Sequence, residues 1–161
     1  MPIDQVSHVS HALLITGSRT WDDEPTMRRA FNDIWSAWRR TPITNPVLIS
    51  GHARDGADAM AERLWRAAGF DVIEVPADWS ARGRKAGLER NLAMVDLASR
   101  MRDRGTAVAC AAFLDPCAKP GCSRRRHEQL APAVAGHFSH GTVHCRDSAL
   151  SAGLSVVDVL R

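Results

Sequence analysis

Three glycine-centred segments carry residue types suited to holding an anion. Gly17-Ser18-Arg19-Thr20-Trp21 follows the apolar run Ala12-Leu13-Leu14-Ile15-Thr16. Gly51-His52-Ala53-Arg54-Asp55-Gly56-Ala57-Asp58 follows Val47-Leu48-Ile49-Ser50, and Ser139-His140-Gly141-Thr142 opens a helix-like stretch near the C-terminus. A strand that ends at glycine and leads into a helix gathers backbone N–H groups and a helix N-terminus in one place, which suits phosphate. Gly17 marks a point where the backbone turns sharply or approaches a ligand closely. Ser18 offers a hydroxyl and an N–H, and Arg19 a guanidinium fork that matches phosphate oxygens. Gly51 and Gly56 bracket the second loop. Asp55 is placed to cap the helix that starts at Gly56. Asp58 falls in that helix's first turn, where the dipole favours a carboxylate. The functional reading of Asp58 has it accepting hydrogen bonds from a ribose or orienting an arginine.

Two further segments add polar groups. Pro76-Ala77-Asp78-Trp79 follows a third strand, so Asp78 and Trp79 join the candidate set; Trp79 either stacks on a base or packs on a neighbouring helix. Lys85, Arg90 and Asn91 form the next group. Arg90 and Met94 are four apart and share a helix face, with Met94 packing inward and Arg90 directed to the pocket mouth. Gly141 and Thr142 complete the proposed ligand contacts. A separate constellation, Cys117-x4-Cys122 with His127, His137, His140, His144 and Cys145 beyond it, has the residue types of a tetrahedral zinc site. Cys117, Cys122, His137 and Cys145 are the metal-ligand candidates, for a structural zinc. His140 is reserved for the anion loop. The competing reading is reduced, unliganded cysteines in a flexible loop.

The elements that must position these groups alternate. Residues 12–16, 47–50, 71–75, 106–114 and 154–160 read as strands; 24–40, 56–69, 87–102 and 142–152 read as helices. Met27, Ala30, Phe31, Ile34, Trp35 and Trp38 form one apolar stripe on the first helix. Gly69, Gly105 and Gly153 stand where helices stop. This β–α alternation predicts an α/β fold: a Rossmann-like, doubly wound, mainly parallel sheet with helices on both faces. Residues 1–11 read as an N-terminal extension and 12–161 as a single domain, with a long loop insertion over 115–139.

The 161 residues, 45% hydrophobic and 24% charged, are those of an ordinary globule able to bury its own core. No apolar run is long enough for a membrane span, and the N-terminus has no secretory pattern, so a cytoplasmic location is expected. Cys110 reads as a buried small hydrophobe, and a disulfide framework is not expected. The net charge of +3 is modest, and the arginines form no continuous basic stripe. Nucleic-acid binding is therefore not expected.

Taken in order, Gly17-Ser18-Arg19-x-Trp21, Gly51-x-Ala53-x-x-Gly56-Ala57-Asp58, Pro76-Ala77-Asp78-Trp79, Gly83-x-x-Ala86-Gly87-x-x-Arg90-Asn91-x-x-Met94 and His140-Gly141-Thr142 resemble the YspA-type, YpsA-related branch of the SLOG superfamily. The resemblance runs over roughly residues 12–160. That superfamily also holds the Lonely Guy enzymes, the lysine decarboxylase-like proteins and DprA. The resemblance implies a pocket for a nucleotide or nucleotide-derived ligand at the strand C-termini. Arg90 resembles the arginine that holds the phosphate side of the substrate in Lonely Guy enzymes. Gly141 and Thr142 resemble part of their phosphate loop. The glutamate that follows the threonine in those enzymes has no counterpart, for Val143, His144, Cys145, Arg146 and Asp147 stand there instead. The expected function is therefore ligand binding or sensing, with a phosphoribohydrolase-like N-glycosidase as the alternative and DNA binding, by analogy with DprA, behind both. A homodimer or higher homo-oligomer is expected by the same resemblance, with Trp35 and Trp38 supplying either its surface or the core.

Overall fold

A computed structural model describes residues 8–126 and 136–161. Its centre is β1 (His11–Gly17), buried along almost its whole length. β2 (Val47–Ser50) and β3 (Asp71–Glu74) lie to one side, β4 (Ala107–Phe113) and β5 (Ser155–Val159) to the other, giving the order β3-β2-β1-β4-β5 with every pair parallel. β1 pairs with β4 over its full length, from His11↔Ala107 to Gly17↔Phe113. Both strands lack polar side chains over most of their length, as strands covered on both faces must.

The connections dictate which face each helix covers. α1 (Glu24–Trp38) and α2 (Gly56–Ala67) carry the chain outward from β1 to β2 to β3. α4 (Ala86–Asp103) and α5 (His140–Ser151) carry it to β4 and β5. Crossovers between parallel strands are right-handed, so a reversal of direction along the sheet puts the second pair of helices on the opposite face. The core accordingly splits in two. Leu13 and Ile15 pack with Met27, Ile34, Ala61 and Trp65 under α1 and α2, and Leu14 and Ala12 pack with Met94, Ala98, Cys145 and Ala149 under α4 and α5. The reversal lies between β1 and β4. Loops leave the ends of those two strands for opposite faces and open a crevice there.

Local chemistry explains the helix starts. Asp23 caps α1, accepting from the Thr26 N–H at 2.9 Å and the Thr26 hydroxyl at 2.7 Å. Of the two tryptophans expected at either a surface or the core, Trp38 is buried and Trp35, half-buried, packs against the core, stacking on Phe70 with centroids 5.2 Å apart and meeting Trp65 edge-on. α5 is tied to β5 by a buried ion pair. Arg146, fully enclosed, donates from Nε to Asp158 Oδ1 at 2.6 Å and from Nη2 to Oδ2 at 2.8 Å. No described helix is long and apolar enough to cross a membrane.

Two details differ from the sequence reading. A short helix, α3 (Trp79–Arg82), forms where a loop was expected, because Asp78 accepts from the Ala81 N–H at 3.0 Å and closes a turn. The long segment after β4 is closed at its base. Pro116 bridges Phe138 in antiparallel fashion, Cys117 N–H donates to His137 O at 2.9 Å, and Ser139 N–H donates to Asp115 O at 3.0 Å. Residues 1–7 of the expected N-terminal extension, and His127, lie outside the described residues.

Candidate functional site

At the reversal point a cavity of about 380 Å³ opens above the end of β1. Its walls come from the β1 terminus with Gly17, Ser18 and Arg19, the start of α2 with Asp58, α4 with Arg90, Asn91 and Met94, and the start of α5 with Ser139, Gly141 and Thr142, while Trp79 and Arg84 close it from the segment before α4. A second cavity of about 470 Å³ adjoins it, bounded by Gly51, His52 and Pro76, and shares Arg19, Ala53, Trp79 and Arg90 with the first. The combined volume suits a small organic ligand.

Each wall is held by neighbouring elements. Arg90 donates from Nη1 to the Gly51 carbonyl and from Nε to Asn91 Oδ1 at 3.0 Å. Asn91, buried, donates from Nδ2 to the Gly141 carbonyl at 3.1 Å and so ties α4 to the first turn of α5. Ser18 Oγ lies 3.0 Å from Ser139 Oγ and 2.8 Å from Thr20 Oγ1, and Thr20 donates to the buried Asp115 at 2.7 Å. Ser139 is the N-cap of α5, yet its side chain makes no cap bond to that helix. The first-turn N–H groups of a helix have no intrahelical acceptor, and here Gly141 and Thr142 of that turn border the cavity. The Arg19 guanidinium sits 5.7 Å from the Trp79 ring centroid, a cation–π contact. Among the described residues no carboxylate lies within ion-pair distance of Arg19, Arg84 or Arg90. Arg28, Arg63, Arg66, Arg100, Arg146 and Arg161 all have one.

A family profile described as the YspA, cpYpsA-related SLOG family matches residues 12–81. The gene 61 protein of Mycobacterium phage D29 is 35% identical over 151 residues, which is 91% of this chain and 94% of that protein. The chain belongs to this SLOG family. No solved structure matches it significantly. Membership supports a nucleotide-related ligand-binding or related role in general terms.

Most of the residues expected from sequence meet at that cleft: Gly17, Ser18, Arg19, Asp58, Trp79, Arg90, Asn91, Gly141 and Thr142 line the first cavity and Gly51 the second. Three do not. Gly56 (φ +74°) serves packing, since a Cβ there would overlap the Ser18 carbonyl and Arg19 Cα, so it lets α2 press against the β1 loop. Asp78 is spent on the cap of α3 and on the Ser80 hydroxyl, which donates to it at 2.9 Å. Lys85 is exposed at the end of a 3-10 turn (Gly83–Lys85), and its neighbour Arg84 lines the cavity instead. Two adjacent basic residues in one turn point different ways, and nothing in their spacing separates them. The Ser18 N–H, expected to meet a ligand, donates to the Phe113 carbonyl at 3.2 Å.

The electrostatics of the SLOG cleft turn on Asp58. Burial pushes its carboxyl above the ordinary value, opposed by the Ala53 N–H, which donates to Oδ2 at 3.1 Å, and by the charges of Arg90 and Arg19. Asp147, the first carboxylate after Thr142, pairs with Arg146 at 2.9 Å on the outer side of α5 and does not border the cleft.

The cysteine–histidine constellation differs from expectation by one residue. Cys145 is fully buried under α5 beside Met94 and Ala149, and burial pushes its thiol up to about 11. It is five residues beyond His140, which turns it to the sheet side of the helix. His140 takes its place. Cys117 Sγ, Cys122 Sγ and ring nitrogens of His137 and His140 all lie within 4.8 Å of one another. Burial opposes ionisation of Cys122, but the Arg124 backbone N–H, His137 and Cys117 outweigh it and hold the thiol below its ordinary value.

Proposed function

We propose that the cleft binds a nucleotide or nucleotide-derived ligand, such as adenosine 5′-monophosphate or ADP-ribose. One observation carries the reading: three arginines with no carboxylate partner among the described residues, Arg19, Arg84 and Arg90, border one cavity together with a helix N-terminus that its own N-cap side chain leaves open. A phosphate placed there meets guanidinium forks from two sides and the Gly141–Thr142 end of α5 along its dipole. Trp79, half-exposed and shared by both cavities, offers a ring face for a base. In this reading Asp58, on the cleft wall, accepts a hydrogen bond from a ribose hydroxyl.

The ligand stays intact in this reading, and the domain acts as a binding or sensing module. N-glycosidic cleavage requires a carboxylate beside the sugar to activate water or steady the developing cation. The first carboxylate on α5 faces away from the cleft. The one observation that favours hydrolysis is Asp58 itself, a buried carboxyl with a raised pKa, the condition of a general acid. Titration calorimetry with the two nucleotides, alongside chromatography for released base, separates the readings. Binding without base release, weakened in Arg90→Ala, is the expected result. Release of base that disappears in Asp58→Asn establishes the enzyme instead. No binding of either nucleotide and no nucleotide co-purifying in native mass spectrometry refutes both.

A further inference from the structure

Two thiols and two imidazoles meet at the base of the segment between β4 and α5. His140 Nε2 is 3.3 Å from Cys122 Sγ, 3.6 Å from Cys117 Sγ and 3.2 Å from His137 Nε2, and His137 Nε2 is 3.3 Å from Cys122 Sγ. A neutral ring nitrogen either donates one hydrogen bond or accepts one. His140 Nε2 therefore has three polar neighbours where hydrogen bonding satisfies one. The same distances are those of ligands around a common centre. With Zn–S about 2.3 Å and Zn–N about 2.0–2.1 Å at tetrahedral angles, sulfur and nitrogen stand about 3.6 Å apart and two nitrogens about 3.3 Å apart. We propose that Cys117, Cys122, His137 and His140 form a structural zinc site.

The ligand set supports a closed, structural centre rather than a catalytic one, because all four positions come from protein. Two thiolates balance the charge of a zinc ion. The backbone prepares the geometry. The Cys117 N–H donates to the His137 carbonyl, and the Pro116–Phe138 bridge pairs the strands beside them, so ligands from both ends of the segment are brought together before any metal arrives. The Arg124 backbone N–H meets Cys122 Sγ, the kind of outer hydrogen bond that steadies a zinc thiolate. The other cluster of potential ligands among the described residues, His52, Glu62 and Glu74, already holds a cation, since Arg66 pairs with both carboxylates.

The position of the site gives it a consequence. His140 is the first residue of α5, and the next two, Gly141 and Thr142, border the cleft. A metal held by His140 fixes where that helix begins. Zinc binding itself does not depend on the reading of the cleft, and it is measured separately.

The test is metal content by inductively coupled plasma mass spectrometry on protein purified without chelator, with cobalt(II) reconstitution of stripped, reduced protein. About one zinc per chain is expected, with intense visible cobalt bands of tetrahedral type and a thiolate charge-transfer band. Cys122→Ser and His140→Ala should each lower the zinc content at least about tenfold, the range seen when ligand shells are damaged. Cys145→Ala and Cys110→Ala should retain it, which separates this site from the core thiols. Because a ligand variant can misfold, the cobalt spectrum of the unaltered chain stands as the second measurement. A weak, octahedral-type spectrum overturns the proposal. So does zinc well below stoichiometry after reduction, or zinc retained in full by Cys122→Ser.

Discussion

Gly51→Ala isolates the contribution of Arg90 to the cleft without removing its charge. Gly51 does not occupy the left-handed region, so alanine is allowed by the backbone. The added Cβ would overlap Arg90 Nη1 and lie 2.5 Å from its Cζ and 3.0 Å from Nε. Those atoms end a flexible side chain, so the guanidinium moves and the backbone stays. The stability cost is the bond from Arg90 to the Gly51 carbonyl, about 0.5–1.5 kcal/mol. It is offset by about 0.4–1 kcal/mol from the stiffer unfolded chain. At roughly 2–4 °C per kcal/mol for a domain of this size, melting moves by no more than about 4 °C. Binding changes far more. Losing a charged hydrogen bond to phosphate costs about 1.5–3 kcal/mol, or about 10- to 150-fold in Kd at 1.4 kcal/mol per decade. Gly17→Ala is the contrast. Its Cβ would overlap Ala57 Cβ and lie 2.9 Å from Phe113 Cβ, both fixed in the core. Overpacking there costs about 1–3 kcal/mol, with melting lower by about 2–12 °C. Scanning fluorimetry and calorimetry with ADP-ribose read both quantities. A Gly51→Ala protein that binds as tightly as the parent, or that melts lower than Gly17→Ala, refutes the placement of Arg90 at the phosphate.

Two further substitutions test other parts of the structure. Asp58→Asn keeps the acceptor for the Ala53 N–H and removes the charge. Because the folded carboxyl has a raised pKa, the unfolded chain loses its proton first as pH rises, and stability falls between the unfolded value near 4 and the folded one. The variant should therefore melt higher than the parent at pH 7 and match it at pH 3, in fluorimetry across pH; an equal difference at both pH values would show that the charge is not the cause. Arg146→Met strands Asp158 against a core that no longer neutralises it. The expected loss is about 3–5 kcal/mol by chemical denaturation, largely recovered in Arg146→Met with Asp158→Leu. A single variant as stable as the parent counts against a buried pair.

The strands and the order of motifs were legible because apolar runs and glycines mark parallel strands and the turns that leave them, and those turns lie on one edge of the sheet. Glycine chemistry was legible only in part. Gly51 and Gly56 have the same signature in sequence, a glycine beside a strand or helix end. One makes room for Arg90 and the other for the β1 backbone, and only the packing partner separates them. Asp78 is similar: a short polar side chain before a tryptophan reads as a ligand contact until a turn forms that uses it as a cap. In sequence, His140 is kept for the anion loop and Cys145 counts among the metal candidates, whereas α5 begins two residues earlier than expected, with the His140 ring beside Cys117, Cys122 and His137 and the Cys145 thiol in the core. Moving that start to residue 140 puts the imidazole at the helix end and the thiol under it.

The residues from 139 to 142 therefore bind the molecule's separate parts together. Ser139 reaches Ser18 at the end of β1, His140 joins the cysteine cluster, and the Gly141 carbonyl accepts from Asn91 on α4. Thr142 is buried against the cleft, and four residues on, Arg146 anchors the same helix to β5. A helix held at so many points moves little when an anion arrives, so the cost of ordering the site is met before binding. If the cleft binds phosphate as proposed, that favours a preformed site over one assembled by its ligand. Ser139 makes no side-chain cap bond to α5, and Gly141 and Thr142 of its first turn line the cleft, so on the proposed function the first-turn N–H groups, which have no intrahelical acceptor, are the donors a phosphate there would meet.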